Sequence, residues 1–261
     1  MHDRQAGLDT FKAHYIAHRG LFDNDSDHPE NSLAAFARAV DAGYGVELDV
    51  QLTKDAKLVV FHDADLARMC GEDVKICDLT YKELAGRRLL TSDQAVPLFQ
   101  DVLDVIGGRV PLVTEIKSGF RLIDTCRLTH ATLARYDGPF CVESFDPRAL
   151  AWYRWRYPDV ILGQLAEDFS QDPATGIKPV DALLTNMVPN AVTWPDFVAY
   201  NHLHADVRAL RFWREVLGCT LVAWTVKSQD ELDAAKRLFD VFIFDSFIPK
   251  GEPGEQPGTS H

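Results

Sequence analysis

With 261 residues, 46% of them hydrophobic and 25% charged, the chain has apolar content for one well-packed core and lies near the length at which one large domain gives way to two. Its formal net charge of -12, unbroken by any run of lysine and arginine, argues against a nucleic-acid or anionic-membrane surface. An acidic protein that handles phosphate needs local cations or a metal.

The opening residues, MHDRQAGLDTFKAHYIAHRG, lack the basic start, apolar run and small-residue cleavage site of a secretory signal, and no stretch reaches the length needed to span a bilayer. The five cysteines, Cys70, Cys77, Cys126, Cys141 and Cys219, contain no CxxC pair and leave one over in any disulfide scheme. The expectation is a cytoplasmic protein with reduced thiols and no stable membrane insertion.

The first apolar run, HYIAH, closes on His18 and Arg19. A helical pattern, ENSLAAFARAVDAG, follows, and then GVELDVQL from Gly45. Side chains alternate along a strand, so Glu47 and Asp49 share one face while Val46, Leu48 and Val50 share the other. An acidic face in water is the ordinary arrangement for such a strand. The turn around QLTKDAKL folds the chain back as a hairpin extension, LVVFHD, that carries His62 toward His18. The next 34 residues, 64–97, show no clean strand or helix period and are read as an inserted excursion over one rim.

Beyond it, PLVTEIK, FCVESF, ILGQLA, DFVAY, LVAWTV and VFIF read as strands. Between and before them lie helical patterns: VPLFQDVLDVIGG, RLIDTCRLTHATLARY, DPRALAWYRWRY, HADVRALRFWREVLG and SQDELDAAKRLF. Strand then helix, repeated, predicts parallel strands with helical crossovers, and eight such strands fit a (β/α)8 TIM barrel, which typically runs to about 250 residues. No GxGxxG follows the first strand, which counts against a dinucleotide-binding sheet. The expected division is one barrel domain over 1–250 with 64–97 as its insertion, and a disordered tail over 251–261, where Gly, Pro and charge replace apolar anchors.

In a parallel barrel the carboxyl ends of the strands converge on one mouth, and the unusual residues fall there. Glu47, Asp49 and Glu115 make a plausible oxygen-donor site for a hard divalent cation such as Mg²⁺ or Ca²⁺. Arg19 and Lys117 beside them suit a phosphate. His18 and His62 flanking that phosphate can act as general base and general acid near neutral pH. Each has a plain alternative, a hydrogen-bonded structural histidine or a solvated charged face. Trp224 is either core or the apolar wall of a ligand site, and Glu143 stays open. His202 and His204 have metal-pair spacing but no adjoining carboxylate cluster, and are assigned to a loop and helix start.

The order HRG, PENSLAAFARAVDAG, VELDVQLTKDAKLVVFHDADLAR, TEIK, VESFDP and VAWTV resembles the glycerophosphodiester phosphodiesterase family over nearly the whole chain. The resemblance implies a barrel with a small module inserted after its second strand. It also implies His18 and His62 as catalytic, Glu47, Asp49 and Glu115 as metal ligands, and Arg19 and Lys117 as phosphate contacts. Metal-dependent hydrolysis of a small-molecule glycerophosphodiester to an alcohol and sn-glycerol 3-phosphate is the implied activity, within lipid and glycerol metabolism. Two departures lie at the mouth: FDSFIP, with Asp245 and Pro249, replaces a Thr-Asp-x-Pro pattern, and Lys227 stands where the family usually has Asn. The competing readings are a phospholipase D-like lyase of the sphingomyelinase D type and a catalytically silent barrel that binds phosphate esters.

Overall fold

The structure, a computed structural model, describes residues 4–170, 174–251 and 253. The short apolar runs form β1 (Ile16–Ala17), β2 (Gly45–Leu52), β6 (Leu112–Ile116), β7 (Phe140–Ser144), β8 (Leu162–Ala166), β9 (Phe197–Asn201), β10 (Thr220–Val226) and β11 (Val241–Phe244). These eight are parallel neighbours in that order, and β11 pairs with β1 to close a barrel. Closure leaves no free edge among them. β3 (Leu58–Val60) runs back antiparallel along the end of β2.

Helices follow the strands on the outside. Leu33–Asp41 illustrates how the sequence sets one: Ser32 accepts a hydrogen bond from the backbone N–H of Ala35, and Ala35, Phe36, Ala39 and Val40 form its buried stripe. That stripe packs against the outward residues of β2, Val46, Leu48 and Val50, in the main core layer. Glu47 and Asp49 therefore point into the barrel, and both are buried.

Residues 64–97 contain β4 (Asp65–Leu66), β5 (Glu72–Lys75) and short helical turns. With Val59 and Phe61 they share a small core of their own, built on Leu66, Met69, Ile76, Leu84 and Leu89. No element there exceeds four residues, too short for a period to register in the sequence.

Inside the barrel two layers are stacked. The lower one is apolar: Ile16, Val113, Cys141, Phe197, Val222 and Ile243 meet Leu8 and Phe11 from the helix Arg4–Lys12, which caps that end. Gly163 permits this packing, since a Cβ there would lie 2.1 Å from the Phe197 ring. The upper layer is acidic. No helix of the described residues is long and apolar enough to cross a membrane. The tail expected over 251–261 lies outside the described residues apart from Gly251 and Pro253.

Candidate active site

The register of three neighbouring strands sets the upper layer. Asp49 of β2 is level with Glu115 of β6, and Glu115 is level with Glu143 of β7, which places three carboxyl groups in one row. Glu47 lies one inward position below Asp49. One carboxylate oxygen from each of Glu47, Asp49 and Glu115 falls within 4.8 Å of the others, and all three side chains are buried.

Their electrostatics diverge. Burial, then repulsion from Asp49, Glu115 and Glu143, pushes the Glu47 carboxyl well above the ordinary range. Burial likewise lifts Glu115 to about 7. Asp49 goes the other way despite its burial, held down by Lys117 and Arg19 and by a hydrogen bond from Asn31 Nδ2 at 2.9 Å. Lys117 Nζ sits between Glu115 Oε1 at 2.9 Å and Asp49 Oδ1 at 3.3 Å. Glu143 is fully buried, its Oε2 has no hydrogen-bond partner, and burial together with Glu115 raises its carboxyl strongly.

β1 delivers His18 and Arg19. The turn after it is tight: Gly20 has φ +84°, and a Cβ there would lie 2.8 Å from the Ala35 backbone. Asn31 N–H donates to the Arg19 carbonyl and Leu21 N–H to that of Ala35, which docks the turn on the start of the next helix. His18 Nδ1 bonds Asp245 Oδ2 at 3.0 Å, and its Nε2 lies 3.9 Å from Glu47 Oε2. Arg19 donates to Glu30 at 2.8 Å and lies 3.6 Å from Asp49.

His62 arrives on the hairpin. Gln51 Nε2 donates to the carbonyls of Phe61 and Asp63, at 2.7 and 2.8 Å, and so grips the chain on both sides of it. His62 Nδ1 bonds Asp63 Oδ1 at 2.7 Å, and Arg68 donates to Asp63 and, through both Nη atoms, to Glu30. Burial lowers both histidines from their ordinary value, against the opposing pull of Asp245 on His18 and of Asp49 and Asp63 on His62.

His18, Arg19, Glu47, His62, Glu115 and Glu143 line one cavity of about 390 Å³, and Trp224, packed edge-on against Phe145, forms part of its wall. Asp49 and Lys117 lie beside these residues, bonded as described above. The residues that stand out in the sequence thus fold into one place. Glu30, Asn31, Asp63 and Arg68 join them with no signal beyond the PEN and HDADLAR stretches, and Asp245 with none beyond a shifted motif. His202 and His204 form a short 3₁₀ turn away from the acidic row, and His202 Nε2 contacts the Thr225 carbonyl at 3.2 Å.

The sequence pattern of the glycerophosphoryl diester phosphodiesterase family matches residues 18–246, a span bounded by residues of this cavity. A glycerophosphodiester phosphodiesterase of Bacillus altitudinis is 31% identical over 210 residues, 75% of this chain and 83% of that protein. Another, from Caldanaerobacter subterraneus subsp. tengcongensis, is 41% identical over 115 residues, 41% of this chain and less than half, 46%, of that one. An Oleispira antarctica phosphodiesterase, solved with its product sn-glycerol-3-phosphate, shares the fold with a TM-score of 0.72 at 22% identity, over 89% of this chain and 92% of its own.

Proposed function

The chain belongs to the glycerophosphoryl diester phosphodiesterase family, and from that premise we propose that it hydrolyses glycerophosphodiesters to an alcohol and sn-glycerol 3-phosphate. The observation that carries the reading is the cavity in which two histidines, each backed by a carboxylate, face a buried carboxylate cluster. Residues 1–250 act as one phosphodiesterase domain with 64–97 as an inserted module, in a cytoplasmic enzyme of lipid and glycerol metabolism.

The donor set fits a hard divalent cation, Mg²⁺ or Ca²⁺. Three buried carboxylate oxygens converge, and Glu47 and Glu115 are raised first by burial and then by the neighbouring carboxylates, a set that a cation would offset. Glu47, Asp49 and Glu115 would hold the ion, which supplies positive charge to the phosphoryl oxygens. Arg19 adds directional donors to the same phosphate, and Lys117 a point charge. Glu143 and Trp224 bound the substrate on the far wall.

Two histidines and no Ser or Cys nucleophile motif leave the substrate to supply its own nucleophile, the glycerol hydroxyl next to the ester. Held in place, that hydroxyl gains the large effective molarity of an intramolecular attack. Asp245 accepts the Nδ1 proton of His18, which leaves Nε2 as the base that takes the hydroxyl proton. His62, whose Nδ1 proton goes to Asp63, protonates the departing alcohol, and the bound phosphate's negative charge favours its imidazolium. A cyclic 1,2-phosphate forms, and water opens it with the histidine roles reversed.

The test is a head-group panel assayed for released sn-glycerol 3-phosphate with and without divalent cations. Turnover should vanish on exhaustive chelation and return with the ion. Glu47→Gln, Asp49→Asn and Glu115→Gln should each abolish most of it, and His18→Ala or His62→Ala should cost about 10² to 10⁴. A substrate with the adjacent hydroxyl replaced by hydrogen should bind and turn over far more slowly. Its hydrolysis at the normal rate would instead indicate direct attack by water.

A further inference from the structure

The cations of the cavity floor are committed. Arg19 is bound to Glu30 and lies against Asp49, and Lys117 bridges Asp49 and Glu115. Lys227 differs. It lines the same cavity from the exposed rim at the end of β10, and among the described residues no carboxylate lies within ion-pair distance of its ammonium. Asp245 feels its charge, but that carboxylate is engaged by His18 and by the Ser246 hydroxyl.

The root of the side chain is fixed. Lys227 N–H donates to Glu231 Oε2 at 2.7 Å, and Glu231 belongs to the helix Gln229–Ala235, whose first turn is capped by Ser228. The same oxygen lies 3.4 Å from His202 Nε2, which also contacts the Thr225 carbonyl. The rim from Thr225 to Lys227 is therefore strapped to two neighbouring elements, and the exposed Lys227 stands at the cavity's edge.

Resting on the function proposed above, we infer that Lys227 selects the substrate by the charge of its alcohol. Phosphodiesters whose alcohol carries a second anionic group, such as a phosphate monoester, are favoured over those carrying an ammonium. The scissile phosphate has its own cations on the floor. A free cation at the rim acts on whatever extends past it, attracting an anion and repelling a quaternary amine. For charges about 6 Å apart at a half-wetted rim, the effect is on the order of tenfold per substrate.

The experiment compares kcat/KM for three glycerophosphodiesters, with glycerol phosphate, glycerol or choline as the alcohol, in wild type, Lys227→Gln, Lys227→Glu and Lys227→Arg. The ratio of the anionic to the choline substrate should fall at least about tenfold in Lys227→Gln and further in Lys227→Glu. Lys227→Arg should retain it, and added salt should shrink the difference. An unchanged ratio would overturn the inference. So would an equal fall on all three substrates, which would make Lys227 a contact of the shared glycerophosphate. Absence of any turnover by cation-loaded wild type would overturn the proposed function and this inference with it, whereas turnover with a charge-blind ratio removes the inference alone. Thermal melts of the variants that match wild type tie the ratios to the rim charge.

Discussion

Glu30 touches no reacting atom in the proposed chemistry, yet it is the residue on which two arginines of the mouth converge. Burial alone would raise its carboxyl, but the hydrogen bonds from Arg68, the charge of Arg19 and a bond from Asn24 bring it down to about 2. A carboxyl depressed on folding contributes stability that is present above its unfolded value, near 4.5, and is lost as pH falls toward 2. Glu30→Gln should therefore melt lower than wild type at pH 7, and the gap should close between about pH 4.5 and 2 when the two are followed by circular dichroism. Arg19→Lys keeps the charge but cannot serve Glu30, Asp49 and a phosphate with one planar fork. It should lower kcat/KM by about tenfold or more, and wild-type kinetics in that variant would make Arg19 a purely structural residue. At this scale His18, Glu47, Asp49, Glu115 and Lys117 were legible because charge at the end of a barrel strand is chemically out of place. Glu30, Asp63 and Arg68 were not, because loop packing brings them together across 38 positions and no local period encodes that approach.

The β2–β3 hairpin is the element that turns a barrel strand into a histidine carrier. Its grip is Gln51, a residue of β2 outside the acidic pair, whose amide holds the chain before and after His62. Gln51→Leu removes both bonds and leaves two carbonyls without that partner. We expect a loss of about 1–3 kcal/mol in urea unfolding. We also expect a fall in kcat larger than any change in KM, because a displaced imidazole impairs proton transfer more than binding. Equal effects on kcat and KM would show that the hairpin shapes the binding site instead. The eight barrel strands were readable because each is a short apolar run bounded by turn residues. The helix Arg4–Lys12 escaped notice because only Leu8 and Phe11 of its nine residues are buried, too sparse a stripe to stand out among polar neighbours. Lys178–Thr185 was missed for a similar reason: Asp181 is its buried residue, while Val180 and Leu183 are exposed, which inverts the usual pattern.

Taken as one object, the molecule divides its labour along the barrel axis, with apolar packing at the end capped by Arg4–Lys12 and ionisable groups at the other. Phe11→Ala should accordingly cost about 3–5 kcal/mol of unfolding free energy while leaving KM at 25 °C near wild type, a pairing that denaturation and steady-state kinetics can check together. The strand between that cap and the mouth is β1, two residues long, wedged between β11 and β2. It is the last stave of a cask. On one side of it hangs the stopper, and on the other His18, whose partner Asp245 is 227 positions away along the chain. Contacts spanning that much sequence require the largest loop to close, so they come late for a folding polypeptide. In the proposed chemistry, then, the catalytic base is completed by the same event that seals the wall. A chain that has collapsed, gained its helices and paired most of its strands would still be inert, and the return of hydrolysis during refolding would time the seating of that final stave.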